Sequence, residues 1–315
     1  MEEKLLQMKS LVERLNQASD SYYNGKGELM TDYEWDALFD QLKRLEEETG
    51  EILPDSPTNR VSEESIVGKK EEHEFAALSL AKTKQVSDLV KWAEDRPIWI
   101  SWKLDGLTLV VTYDGGILTK IVTRGNGHIG TNITHLAPAI SGIPATISEK
   151  GHLVVRGEAV ISYADFEQFI IESEGDYANP RNLASGSLTL KDIEEVKQRH
   201  IQWIPFTLVY TERELTSWGD RMKMLKDLGM NPVERERIDH PTTENIQLEI
   251  DKFTEKVTSK KNPFPVDGLV ICYDDTAYAA TGSVTGHHAT RAGFAFKWQD
   301  EHAETELDHI EWSCA

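Results

Sequence analysis

Leu5, Met8, Leu11, Val12 and Leu15 recur three and four positions apart, the spacing that lays one apolar stripe along a helix. A Gly-containing turn follows. Thr31 and Glu34 then form a capping-box pattern ahead of Trp35, Leu38, Phe39, Leu42 and Leu45, which repeat the helical spacing. The N-terminal region is therefore predicted as two helices. Pro54 and Pro57 end regular structure, and the polar run Ser62–Glu74 reads as a linker, with a domain boundary near Gly68. Beyond it the pattern alternates. Strands are predicted at Ile98–Lys103, Leu107–Tyr113, Ile117–Thr123, Leu153–Val160, Ile201–Tyr210, Gly268–Tyr273 and Gly293–Trp298. Asp114-Gly115-Gly116 between the second and third is a hairpin signal. Helices are predicted at Ser87–Glu94, Tyr163–Glu172, Thr216–Leu228 (closed by Gly229) and Thr243–Val257. Hairpins with interspersed helices make the chain α+β: a helical N-terminal subdomain, then an antiparallel-sheet-rich domain.

Composition adds limits. A hydrophobic fraction of 39% and an aromatic fraction of 8% suffice for a sizeable core. There is no apolar run long enough to span a bilayer and no secretory-signal pattern. The two cysteines, Cys272 and Cys314, form no CxxC pair, which fits a reducing, cytoplasmic compartment and argues against a zinc site in this chain. The net charge of −20 changes the picture most. Proteins that grip the DNA polyanion alone carry a basic face that releases counterions. If this acidic chain acts on DNA, something else supplies most of the grip.

The candidate chemistry centres on Lys103-Leu104-Asp105-Gly106 at a strand end. Strand geometry puts Ser101, Lys103 and Asp105 on one face. A lysine attacks phosphorus only as the free amine, and an aspartate two residues on can hydrogen-bond a ribose hydroxyl. The tetrapeptide alone is a weak signal, because strands ending in Asp-Gly turns are common. Gly125-Asn126-Gly127-His128-Ile129-Gly130 matches GxGxxG, but it follows a hairpin and precedes Pro138 with no long helix, so a dinucleotide-binding βαβ unit is rejected. His287-His288 is assigned nothing, and Arg181 and Asn182 are read as loop braces.

The series as a whole is specific. After Lys103-Leu104-Asp105-Gly106 come Thr123-Arg124-Gly125-Asn126-Gly127, Val155-Arg156-Gly157-Glu158, Asn179-Pro180-Arg181-Asn182, Val266-Asp267-Gly268-Leu269-Val270-Ile271 and Ala295-Phe296-Lys297-Trp298. Before it stand Tyr22-Tyr23, Asp32-Tyr33-Glu34-Trp35-Asp36, Pro54-Asp55-Ser56-Pro57-Thr58 and Leu78-Ser79-Leu80. From about residue 5 to Trp298 this order resembles the N-terminal and adenylation (nucleotidyltransferase) domains of NAD⁺-dependent DNA ligases. The resemblance implies that Lys103 accepts AMP from NAD⁺ with Mg²⁺ assistance, and that Arg124 contacts the ribose or phosphate. Glu158 would contact the ribose or a metal-bound water, Asp267 would help place the metal, and Lys297 would neutralise the α-phosphate. Tyr22, Tyr23, Asp32, Trp35 and Asp36 would hold the nicotinamide mononucleotide leaving group, and Ser79, Leu80 and Ser101 would complete the NAD⁺ site.

The chain departs from the family at Ser101, where a glutamate is usual, and at Cys272, where a lysine is usual. Tyr23, Trp35 and Asn126 also differ from the common pattern. Family members continue into OB-fold, zinc-binding and helix-hairpin-helix modules. Residues 301–315 read as a tail, with Thr305–Trp312 like the first strand of an absent OB-fold. The expectation is a split ligase whose second polypeptide carries those modules and grips nicked DNA, with no membrane partner. The alternatives are a catalytically degenerate NAD- or AMP-binding interaction subunit and an ATP-using or RNA-directed nucleotidyltransferase.

Overall fold

The computed structural model describes residues 2–23, 29–30, 32–49, 53, 56–58, 69–173, 177–190, 192–282, 284–285, 288–289, 291 and 293–298. Two helices, α1 (Glu2–Tyr23) and α2 (Asp32–Thr49), open the chain. They bury their stripes against each other, Met8, Leu11, Val12 and Leu15 meeting Leu42 and Leu45. The Ser56-Pro57-Thr58 segment is tied back to α2. Its two hydroxyls donate to the carboxylate oxygens of buried Glu46 at 2.6 and 2.7 Å. Thr31, the proposed cap, lies outside the described residues. So do residues 59–68 around the expected boundary and the tail at 301–315.

In chain order there follow β1 (Lys70–Glu72), β2 (Ala81–Thr83), α3 (Val86–Ala93), β3 (Ile98–Leu104), β4 (Leu107–Asp114), β5 (Ile117–Thr123), β6 (Ile129–Thr131) and β7 (Leu153–Val160). The chain continues with α4 (Tyr163–Ser173), α5 (Pro180–Ser187), α6 (Ile193–Lys197), β8 (Gln202–Thr211), α7 (Trp218–Asp227), β9 (Arg235–Ile238) and α8 (Thr243–Thr258). It ends with β10 (Val266–Tyr273), α9 (Thr276–Ala280), β11 (Val284–Thr285), β12 (His288–Ala289) and β13 (Phe294–Phe296). A five-stranded sheet has the order β2-β13-β10-β3-β9 and a four-stranded sheet the order β5-β4-β7-β8. Every pairing in them is antiparallel except β13 with β2.

Alternation along the strands creates two faces per sheet. Ile98, Ile100, Trp102, Leu104, Leu269 and Ile271 pack with Leu89 of α3 and Ile246, Ile250 and Phe253 of α8. Leu107, Leu109, Val111, Leu153 and Val155 pack with Leu183 of α5, Val196 of α6 and Met222 of α7. The intervening positions carry the chemistry, and the Asp105-Gly106 turn joins the sheets.

The polar run Ser62–Glu74 is corrected at its end: Lys70–Glu72 is a strand, paired with β6 through Lys70↔Thr131 and Glu72↔Ile129. Its charged side chains at 70 and 72 point to solvent, so polarity did not oppose pairing. The GxGxxG stretch is the turn from β5 into β6, closed by the Asn126 side chain accepting from the His128 and Ile129 amides. Only the six-residue 3-10 helix Thr134–Ala139 follows, after β6, and no α-helix starts there to receive a pyrophosphate.

Two glycines beside Lys103 and Asp267 have no substitute. A Cβ on Gly106 would stand 2.1 Å from the Ala159 carbonyl oxygen. Gly268 has φ +153°, and its Cβ would stand 2.2 Å from the Phe296 carbonyl. Backbone cannot retreat as a flexible side chain can. Either residue changed to alanine is expected to lower unfolding free energy by about 2–4 kcal/mol in urea titrations. A midpoint equal to that of the parent chain would refute the packing account.

Candidate active site

Lys103 sits near the end of β3, where β10 pairs with it irregularly. Val266 is opposite Leu104 and Gly268 is opposite Lys103, leaving Asp267 as an extra residue in the ladder. Such a bulge re-aims the inserted side chain. Here it turns Asp267 onto the face of Lys103, whose amine donates to both carboxylate oxygens at 2.6 and 2.7 Å. Lys297, one residue past β13, comes within 3.7 Å of the same carboxylate. Burial pushes the Asp267 carboxyl up, but the charges of Lys103, Lys297 and Arg181 outweigh it and hold the group below the usual carboxylate range.

Asp105 follows on the turn, its amide donating to the Pro265 carbonyl at 2.9 Å. Its carboxylate is gripped by Arg181 of α5 at 2.6 Å. Arg181 therefore fixes the Asp105 turn beside Lys103 and brings another positive charge to the cleft. Asn179 makes this placement rigid, capping α5 by accepting from the Asn182 amide at 2.8 Å ahead of Pro180.

Glu158 reaches the cleft from β7 of the other sheet. It accepts from the Gly106 amide at 3.2 Å and the Thr108 hydroxyl at 2.8 Å. Burial pushes its carboxyl up to about 7, against the lowering pull of Arg181, the Thr108 hydroxyl and Lys103. Arg124, just past β5, donates to the Ala77 carbonyl at 3.1 Å and the Ser79 hydroxyl at 2.7 Å. Arg156 holds the same strap through the Phe75 and Ala76 carbonyls at 2.9 and 2.8 Å. Leu80 packs beside Gly293. Arg124, Ser79 and Leu80 thus form one wall.

Ser101 is buried on the Lys103 face, its hydroxyl 3.4 Å from the Val270 carbonyl. Cys272 lies opposite Trp99, buried in the core that includes Trp218, and burial pushes its thiol well above the usual range. It supplies neither a cation nor a thiolate. Trp35 lies half-buried on the seam of the two helices, stacked on Phe39 and donating to the Leu15 carbonyl at 3.3 Å. The side chains of Tyr22, Tyr23, Asp32 and Asp36 lie outside the described residues, although their backbones are helical.

The comparisons with known proteins match this arrangement. Residues 69–301 match the model of the NAD-dependent DNA ligase adenylation domain, and residues 1–62 that of the DNA ligase-like N-terminal NAD⁺-binding domain. The chain belongs to the NAD-dependent DNA ligase family. The DNA ligase of Lachnoclostridium phytofermentans is 40% identical over 321 residues, covering 100% of this chain and 48% of that protein. The DNA ligase of Ruminiclostridium cellulolyticum is 40% identical over 319 residues, covering 99% and 48%. The chain thus spans about half the length of these curated relatives. Among solved structures, a mycobacterial DNA ligase D complexed with ATP and MES aligns at 16% identity and TM-score 0.42 over 70% of this chain and 60% of that one.

Magnesium is standard for this family. The ion needs only one or two protein carboxylates when waters and substrate phosphates complete its shell. Asp267 fits that demand. Among the described residues no three His, Cys, Asp or Glu side chains converge as an all-protein cage.

A carboxyl raised by burial keeps a proton in the folded state that the unfolded chain releases. Glu158 therefore costs the fold stability progressively as pH climbs from about 4.5 to 7. Glu158→Gln removes that titration. Relative to the parent, its Tm is expected to gain about 5 °C between pH 5 and pH 8. Parallel Tm curves for the two chains would show that Glu158 is not raised.

Proposed function

We propose that the chain is the adenylation module of an NAD⁺-dependent DNA ligase, carrying AMP on Lys103. The observation that supports it best is the meeting of Lys103 and Lys297 on one bulge-presented carboxylate, Asp267. The Lys103 amine, freed of its proton, attacks the adenylyl phosphorus of NAD⁺. A P–N bond forms, the bond to the bridging pyrophosphate oxygen breaks, and nicotinamide mononucleotide leaves with that electron pair. Lys297 and Arg124 neutralise charge on the phosphate oxygens, the main demand of phosphoryl-transfer chemistry. Asp105, held by Arg181, and Glu158 accept from the ribose hydroxyls. Asp267 and Glu158 are the residues that would hold Mg²⁺, which would supply further charge neutralisation on the phosphate. Tyr22, Tyr23, Asp32, Trp35 and Asp36 hold the leaving group; Ser79, Leu80 and Ser101 line the rest of the site.

The helical unit and the adenylation domain divide near Gly68, a reading supported by family matches that end at residue 62 and resume at 69. The AMP then passes to a 5′-phosphate at a DNA nick. A net charge of −20 favours a second polypeptide, with OB-fold, zinc-binding and helix-hairpin-helix modules, as the element that holds the DNA. The cysteine usage fits work in the cytoplasm. A second reading, a degenerate NAD- or AMP-binding subunit, draws on the neutral Ser101 and buried Cys272.

Whole-protein mass spectrometry decides between the two. With NAD⁺ and Mg²⁺ the chain is expected to gain one AMP, with ATP none, and Lys297→Ala is expected to slow the gain about 100- to 1000-fold. NAD⁺ binding without a mass gain selects the degenerate subunit. Nick sealing by the chain alone at the rate of a full-length relative would overturn the need for a partner.

A further inference from the structure

On the Lys103 face of the five-stranded sheet the cross-strand register places a cation that the chemistry above does not use. β9 pairs with β3 so that Arg235 stands directly opposite Ser101, which on its other side faces Val270 of β10. Residues directly opposite in an antiparallel pair project to the same face with Cβ atoms about 5 Å apart. Arg235 therefore emerges beside Ser101, one step along the strand from Lys103. Two strand residues span about 6.6 Å, comparable to the reach from the phosphorus of a nucleotide to its base.

The surroundings of Arg235 leave its guanidinium under-satisfied. One hydrogen bond is local, from Nη1 to the Val233 carbonyl at 3.2 Å, and Nε is buried with no hydrogen-bond partner among the described residues. No carboxylate pairs with it among the described residues, whereas its neighbour Arg237 is held by Asp239 and Asp274. Its carbon lies 5.9 Å from the ring centres of both Trp99 and Trp218. Burial lowers its pKa, the mark of a charge that the protein has not compensated. Unpaired donors beside two indole rings suit a flat ring that carries acceptors on its edge.

We infer that Arg235 reads the purine base of the bound nucleotide, donating to its ring nitrogens beside Ser101. This rests on the proposed adenylyl transfer to Lys103, which fixes where the phosphate lies. Ser101, Val270, Trp99 and Arg235 offer no carboxylate to an exocyclic amine, and Asp274 beside Trp99 is already engaged by Trp99, Ser217, the Gly219 amide and Arg237. The subsite thus recognises a purine by the acceptors N3 and N7 that both bases share, and a 6-oxo purine, whose O6 accepts where adenine carries its amine, fits as well as adenine. This chain uses nicotinamide hypoxanthine dinucleotide about as well as NAD⁺.

The test compares both dinucleotides as donors to the full chain with Mg²⁺, in the parent, Arg235→Met and Arg235→Lys. The parent is expected to show kcat/KM values within about threefold of each other. Arg235→Met is expected to raise KM about tenfold for both donors with kcat within about twofold, and Arg235→Lys to recover part of it. Rejection of the hypoxanthine donor by 100-fold or more, or an unchanged KM in Arg235→Met, overturns the assignment. Equilibrium binding of AMP and IMP to the Lys103→Ala chain reads the same preference without the covalent step. Equal affinities there, weakened about tenfold by adding Arg235→Met, uphold base recognition even if no AMP-lysine forms; unequal affinities, or no binding, overturn it.

Discussion

The contact between the Lys103 amine and both oxygens of Asp267 organises everything around it. It exists because β10 carries one residue too many against β3, and that bulge requires Gly268, where the Phe296 backbone passes too close for any side chain. Closure of the ladder by the Asp105 amide on Pro265 then aims Asp105 at Arg181, and β13 delivers Lys297 to the same carboxylate. A part-buried ion pair of this kind adds little net stability, since desolvation offsets attraction. Its consequence is positional. Removing one partner leaves a charge without its counterpart.

Electrostatics separates this cleft from the rest of the molecule. The chain is strongly acidic, yet Lys103, Lys297 and Arg181 gather around Asp267 and Asp105, Arg124 stands on the wall by Ser79, and Arg235 lies one step further along the same sheet. The acids among them are spoken for: Asp105 by Arg181, Glu158 by an amide and a hydroxyl, Asp267 by Lys103. A nucleotide is thus attracted locally while long-range attraction for a DNA duplex is weak. The proposed division of labour between nucleotide chemistry and DNA grip draws on that distribution.

Much of the fold was legible in the sequence because alternation is a local property. β5 and β7 match the predicted spans, and β3, β4, β8 and α8 differ by one residue at their ends. What escaped was set by tertiary pairing. α5 is rich in Gly, Ser and Asn and has no amphipathic stripe, since almost every side chain in it is buried. β9 is four residues long with charged positions, and β1 and β6 are three each. The site showed the same split. Lys103, Asp105, Arg124, Glu158, Asp267 and Lys297 were singled out by their order along the chain, and the structure brings Lys103, Asp267 and Lys297 together. The Arg181–Asp105 and Thr108–Glu158 contacts and the place of Arg235 opposite Ser101 were not legible, because a partner across a turn or a neighbouring strand leaves no mark in the local spacing. The bulge that turns Asp267 inward likewise depends on register, although Asp-Gly before an apolar run hinted at it.

The most direct measurement is the location of the AMP after reaction with NAD⁺, by peptide mapping with parallel quantitation of released nicotinamide mononucleotide. The account predicts a single acid-labile phosphoramide on Lys103, with one nicotinamide mononucleotide released for each AMP bound. AMP on any other residue, or release of nicotinamide mononucleotide without a modified Lys103, would contradict it.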